Sequence, residues 1–295
     1  MKRLLTLTIL AALAAPLGAQ TLPLLYCPTD PHSAALGGAG ATLEADAWSL
    51  DNNFAATALT SGTFAIGAAY DYWAPKPTPD TRFNAGGWYR SNHLAFGLAA
   101  KGSFSQPYDV VSPAGQTTGS FEPSDIALAA GLAWCPANGF SLGVTARMIA
   151  SSLSEEVTGA ALCADLSAMY RIGGLSLGLA ACNLGGQISY GDASYDLPLL
   201  FKGGVGYSTD ILNLTAEADY LSEVGVMGCL GAECWLASVL CLRGGYHIGL
   251  ADQGLPSFAS GGIGLLFNGL GIDVAVLFAS PTLGGSVLAG LTYSF

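Results

Sequence analysis

The sequence is poor in charge, and above all in basic residues. Only 11% of its 295 residues are charged, and 10 Lys and Arg stand against 21 Asp and Glu. A soluble domain carries about 25% charged residues, so this chain has too few to solvate a large surface. Its net charge of −11 excludes the basic footprint that nucleic acids require, and we expect no nucleic-acid partner.

Residues that carry catalysis are equally scarce. The chain has three histidines, and it lacks both the Gly-x-Ser-x-Gly and the His-Glu-x-x-His patterns. Its seven cysteines include no Cys-x-x-Cys pair of the kind that binds zinc. We therefore expect no enzyme activity, no cofactor and no metal site.

The third absence is a long apolar segment. Residues 1–19 are typical of a signal peptide, because Lys2 and Arg3 precede an apolar run. That run is too short to be retained as an anchor that spans a bilayer. No later stretch of about 18 residues is apolar and free of charge. Yet the mean hydropathy is +0.47. Since a bilayer otherwise admits only closed β-barrels, the surplus apolar residues indicate a barrel.

Apolar residues recur with a period of two, as strands require. In residues 212–220 the odd-numbered positions are polar or acidic, while the even-numbered positions are apolar. The same pattern predicts an all-β transmembrane antiparallel barrel over residues 60–295. Its strands, about fourteen in number, are expected at 61–73, 82–90, 93–103, 124–135, 139–150, 160–171, 174–184, 198–208, 211–221, 227–236, 239–248, 257–267, 270–280 and 284–295.

Short turns alternate with longer loops between these strands, which is typical of outer-membrane barrels of Gram-negative bacteria. This places both termini on the periplasmic side and outer-membrane lipid around the wall. The alternative fold is a secreted β-sandwich, which also alternates. Its outward face should be rich in charge, whereas the second face here consists largely of Gly, Ala and Ser.

The alternation places most charged strand residues on the lumen side, where they avoid the cost of contact with lipid. They form either an ion-pair network that braces the interior or a selectivity constriction. The predicted lumen network comprises Asp71, Arg82, Arg90, Lys101, Asp125, Arg147, Asp165, Arg171, Lys202, Glu217, Asp219, Glu233, Arg243 and Asp273.

Residues 20–59 lack alternation and are rich in small side chains, which favours short helices and turns. Because the inward barrel residues are also mostly small, we expect this segment to fold into the lumen as a hatch. Its distinctive positions are Gly37, Gly38, Gly40, Asp46, Asn52 and Asn53.

The run from Leu36 to Asn53 resembles the start of the PorV/PorQ family of outer-membrane proteins. These are similar in architecture to the FadL-type channels for hydrophobic compounds, with fourteen strands and an N-terminal hatch. The chain departs from the family after Asn53, where Phe54 replaces a proline. The resemblance implies an accessory or cargo-docking role in type IX secretion, with secretion components or secreted cargo as partners. The alternative function is a passive FadL-like channel for hydrophobic small molecules.

The last strand ends on an alternating set of apolar residues, Leu291, Tyr293 and Phe295. An aromatic-terminated strand of this kind resembles the signal that the barrel-assembly machinery binds, so we expect that machinery as a partner.

A closed barrel predicts heat-modifiable gel mobility. The unboiled protein should migrate differently from the boiled protein, because the folded barrel resists detergent until it is heated. Identical migration before and after boiling would contradict the barrel.

Overall fold

The strands close into an antiparallel barrel, which confirms the predicted fold class. The computed structural model describes residues 22–75, 77–112, 115–249, 254–280, 282–283 and 285–295. The predicted signal peptide, residues 1–19, lies outside the described residues.

Eighteen strands are present in the described chain. They are β1 (Phe64–Trp73), β2 (Asp80–Ser91), β3 (Leu94–Phe104), β4 (Tyr108–Val111), β5 (Thr117–Phe121), β6 (Ser124–Ala137), β7 (Phe140–Ser152), β8 (Thr158–Ile172), β9 (Leu175–Leu184), β10 (Gln187–Tyr190), β11 (Ala193–Asp196), β12 (Leu200–Ser208), β13 (Leu212–Leu221), β14 (Gly225–Leu236), β15 (Leu240–Ile248), β16 (Phe258–Phe267), β17 (Leu270–Phe278) and β18 (Val287–Ser294).

Fourteen of these strands form the wall. The ring closes because β1 pairs with both β2 and β18, and β9 pairs with both β8 and β12. The other four strands lie in loops. Strands β4 and β5 form a separate hairpin, while the hairpin of β10 and β11 extends the sheet from the outer end of β8. Both hairpins fall in segments that the sequence predicts as longer loops between strands.

The two rims differ in the length of their connections. On one rim the turns hold two or three residues, at 92–93, 138–139, 173–174, 209–211, 237–239 and 268–269. Asn268 and Gly269 both have positive φ angles, of 50° and 82°, which suits the tight turn that matches strand twist. The opposite rim carries the longer loops, so it is the extracellular rim.

Residues of each wall strand alternate between exposed and buried positions, as in β7. The exposed positions carry large apolar side chains, for example Leu98 and Leu162. These side chains face lipid in the outer membrane, where the protein resides. None of the described helices is long and apolar enough to cross a membrane.

The segment before β1 lies inside the barrel, and we call residues 22–59 the hatch. It contains two short α-helices, α1 (Pro31–Ala35) and α2 (Ser49–Asn52). It also contains 3-10 turns at Pro23–Leu25 and Phe54–Ala58. Helix α1 starts where Asp30 accepts a hydrogen bond from the Ser33 amide at 2.8 Å, as an N-cap residue does.

Inward-facing glycines of the wall let the hatch approach the strand backbone closely. A Cβ atom at Gly97 would lie 2.7 Å from Leu50, and one at Gly131 would lie 2.7 Å from Phe54. Ten further wall glycines would bring a Cβ atom against the hatch: Gly67, Gly86, Gly143, Gly178, Gly204, Gly206, Gly231, Gly245, Gly262 and Gly290. The small lumen face is therefore the surface onto which the hatch packs.

Replacing Gly178 with alanine tests this packing. The new Cβ would overlap the Ala41 carbonyl of the hatch, and overpacking of this kind costs about 1–3 kcal/mol. We expect a lower thermal midpoint and faster proteolysis within residues 22–59. Gly203→Ala in the neighbouring strand is the matched control, because its Cβ would meet no atom closer than 3.5 Å. Equal effects of the two substitutions would contradict the packing.

Candidate functional site

The hatch is held to the wall by hydrogen bonds to its backbone. One oxygen of Glu217 accepts hydrogen bonds from the amides of Gly40 at 2.8 Å and Ala41 at 2.5 Å. The other oxygen lies 3.0 Å from the Lys202 ammonium. Glu217 lies on β13 and Lys202 on β12. This carboxylate therefore anchors the middle of the hatch to both strands.

Two hatch glycines adopt the left-handed backbone conformation that favours glycine. Gly37 has φ +73° and Gly38 has φ +90°. The Gly37 amide donates to the Ser260 hydroxyl at 3.0 Å, and its carbonyl lies 3.2 Å from Nδ1 of His247. These contacts place the turn after α1 directly on the inner faces of β15 and β16.

The remaining predicted hatch residues make contacts within the hatch and to the wall. Asp46 accepts from the Trp48 amide at 2.9 Å, and its carbonyl accepts from the Trp88 indole at 2.7 Å. Asn52 donates to Asp30 at 3.2 Å. Asn53 donates to the Ala41 carbonyl at 2.7 Å and so links the two halves of the hatch.

Asp51 is the centre of an ion-pair cluster that joins the hatch to the wall. Its Oδ1 lies 3.0 Å from Lys101 and 2.9 Å from Arg147, and Arg147 also binds Asp165 at 3.0 Å. Burial opposes ionisation of Asp51, but Lys101 and Arg147 outweigh it and hold its pKa well below the usual range. The hatch therefore supplies the anion that two wall cations share.

A second cluster lies toward the extracellular rim. Arg82 is 3.6 Å from Asp71 on β1, and its guanidinium stacks on Trp73, 3.9 Å from the ring centroid. The same side chain donates to the Pro28 carbonyl at 2.8 Å. Arg82 thus fixes the start of the hatch to β1 and β2.

The third cluster lies toward the periplasmic rim, around Glu233. Arg243 binds Glu233 at 2.6 Å and also pairs with Asp273. On the hatch side, His32 lies 3.2 Å from Glu233 and 2.8 Å from Asp46. Burial and Arg243 act to lower the pKa of His32, but its hydrogen bonds to Asp46 and Glu233 prevail and raise it to about 10.

The other predicted lumen residues are less closely joined. Arg171 donates to the Leu43 carbonyl at 3.0 Å and lies 3.8 Å from Glu44. Asp219 is buried beside Glu217. Among the described residues, Asp125 bonds to a serine rather than to a cation, and Arg90 forms no ion pair.

Charge pairing in the lumen extends beyond the strand residues of the network that the sequence predicts. The prediction balances acids and bases of the strands against each other. In the structure, four hatch residues take part in the pairs: His32, Glu44, Asp46 and Asp51. Three of these four residues are acids that the sequence shows, but no periodicity assigns any of the four to a particular strand.

The predicted assembly signal lies on the lipid-facing side of β18. Leu291 and Tyr293 are exposed on this face, and Phe295 is 79% exposed at the periplasmic rim. The Phe295 carbonyl accepts a hydrogen bond from the Phe64 amide at 3.0 Å, which joins the two ends of the barrel. Recognition of these residues by the assembly machinery stays a prediction.

Removing the Asp51 charge tests the cluster that it forms with Lys101 and Arg147. Asp51→Asn should lower the free energy of unfolding by about 3–5 kcal/mol, because Lys101 would remain buried without its anion. Adding Lys101→Met should recover much of the loss. Asp109→Asn, the same change at an exposed outer hairpin, is the control and should leave the thermal midpoint within error. Equal shifts of the thermal midpoint for the two Asp→Asn variants would contradict the ion pairs assigned to Asp51.

Comparison with known proteins gives structural matches only. No family model and no curated protein sequence matches the chain. The toluene transporter TbuX of Ralstonia pickettii matches with a TM-score of 0.65 at 15% identity, over 90% of this chain and 97% of the transporter. CymD, a monoaromatic hydrocarbon channel, matches with a TM-score of 0.67 at 12% identity, over 91% and 97%.

A FadL homologue of Pseudomonas aeruginosa also matches, with a TM-score of 0.58 at 14% identity, over 91% of this chain and 96% of the homologue. Identities this low carry the fold alone. The chain therefore has the fold of the FadL-type outer-membrane barrels.

Proposed function

We propose that the protein is a passive channel for uncharged hydrophobic small molecules. The observation that carries this proposal is the apolar lining at the extracellular end of the lumen. One buried cluster there includes Trp73, Leu200, Met227, Phe258 and Leu277. A second contains Ile149, Ile188 and Leu197. Both lie beneath the outer loops, where a hydrophobic molecule would enter.

The first residues of the hatch occupy this apolar region. Leu22, Leu24 and Leu25 belong to one cluster, and Cys27 belongs to the other. The cavity beside them has a volume of about 40 Å³, whereas ligand sites usually hold roughly 300–1,000 Å³. A ligand would therefore take the place of residues 22–27 on the apolar wall.

The lumen charges favour a ligand without a carboxylate. Within the described residues, every lumen Lys and Arg except Arg90 is paired with an acid. These paired bases are Arg82, Lys101, Arg147, Arg171, Lys202 and Arg243. A buried carboxylate needs a cation or several hydrogen-bond donors to offset its desolvation. A fatty-acid anion would have to compete with these existing pairs, whereas a neutral hydrocarbon would not.

The matched structures support the same substrate class. Two of those named above are a toluene transporter and a monoaromatic hydrocarbon channel. The resemblance of residues 36–53 to PorV/PorQ proteins is the sole support for a secretion-accessory role. Since the structural matches are transporters and channels, they favour transport over both secretion and catalysis.

Uptake measurements test the proposal. Outer membranes containing the protein should take up a neutral monoaromatic hydrocarbon faster than membranes without it, and a carboxylate of similar size should gain little. Met227→Asp should reduce hydrocarbon uptake about tenfold or more, because it places a charge in the apolar region. Thr118→Asp on the exposed outer hairpin introduces the same charge and should leave uptake unchanged.

Deletion in the native host separates the two candidate functions. The channel predicts lost hydrocarbon uptake with normal protein secretion. Lost secretion with normal uptake would overturn the channel and favour the accessory role.

A further inference from the structure

A second cavity lies at the periplasmic end of the lumen. It has a volume of about 380 Å³, within the range of small-molecule sites. Hatch residues 42–46 form one side, and the inner faces of β12–β14 form the other. Because the turn residues Asp210 and Ser238 also line it, the cavity opens toward the periplasm.

The charges around this cavity are mainly negative. Its lining includes the carboxylates of Glu44, Asp46, Asp210 and Glu233, with His32 as the one cation. Arg243 neutralises Glu233 from behind. Glu44 is 71% exposed and its contact with Arg171 is long, at 3.8 Å, so that pair is weak. Asp210 forms no ion pair with any residue that the structure describes.

His32 is held in this wall by two of these carboxylates. Its ring nitrogens lie 2.8 Å from Asp46 and 3.2 Å from Glu233. Although burial and Arg243 both oppose protonation, the two carboxylates raise the pKa of His32 to about 10. Each ring nitrogen of His32 therefore has a carboxylate partner in this wall, even though the Arg243 guanidinium lies close by.

The same cavity has an apolar and aromatic part. Leu36, Leu43 and Leu266 line it beside the indole of Trp235. The Trp235 N–H donates to Glu233 at 2.8 Å, which holds the ring in place. Tryptophan is the side chain whose ring face attracts cations most strongly. The cavity thus combines carboxylates, an aromatic face and aliphatic side chains within one volume.

We propose that this periplasmic cavity binds hydrophobic organic cations, in which an ammonium group is attached to an aromatic or aliphatic body. The ammonium lies among Glu44, Asp210 and the Trp235 ring. The body contacts the leucines of the hatch and β16. This site goes beyond the proposed channel, and binding to it does not require transport.

Calorimetric titration of the purified full-length barrel in detergent tests the site. The probes are phenylpropylammonium, its neutral analogue propylbenzene and the anion phenylpropanoate, which share one body and differ in charge. We expect the cation to bind about tenfold more tightly than either analogue, and added salt to weaken its binding. Equal binding of the three probes, or tighter binding of the anion, would overturn the proposal.

Variants locate the site. Glu44→Gln combined with Asp210→Asn should weaken phenylpropylammonium binding about tenfold, and Trp235→Leu should weaken it about threefold or more. Asp109→Asn combined with Glu122→Gln removes the same charge from the outer loops and serves as the control. Heat-modifiable mobility confirms that each variant is folded. A control variant that loses as much affinity as the cavity variant would show that general surface charge binds the probe.

Discussion

The close packing of the hatch against wall glycines is the constraint on which the rest of the structure depends. A barrel of fourteen strands encloses more space than its own small inward residues fill. The hatch fills that space only because the wall lets it approach, as at Gly97 beside Leu50 and at Gly131 beside Phe54. Larger wall residues would push the hatch out and separate its charges from their partners. The abundance of glycine therefore sets both the shape of the lumen and the positions of its ion pairs.

Ion pairing follows from that packing. Because the hatch covers the charged residues of the wall, each buried charge needs a partner close by. Asp51 meets this need for two wall cations, and Glu217 does so for two hatch amides and Lys202. The pairs cross from the hatch to the wall, so they fix the position of the hatch as well as the charge state of the lumen. They also leave few cations free for an anionic ligand.

The sequence predicts the wall well and the hatch contacts poorly, for a physical reason. Strand residues alternate by geometry, so the pattern in residues 139–150 and 160–171 locates β7 and β8 within two residues of their ends. The hatch has no such period, and nothing local indicates that Asp51 lies between β3 and β7. The hairpin of β4 and β5 escaped prediction because β5, Thr117–Phe121, has no apolar face to bury.

Different forces hold the hatch at the two ends of the lumen. This difference determines which part of the hatch a ligand could displace. From Pro28 onward the hatch is tied by directional contacts, including those of Arg82, Asp51 and His32. Residues 22–27 are instead held chiefly by apolar contacts, which are non-directional and proportional to buried area. A hydrophobic molecule can replace such contacts with its own surface, whereas it cannot replace the ion pairs. For the proposed channel, the extracellular start of the hatch is therefore the part that a hydrocarbon would displace at least cost.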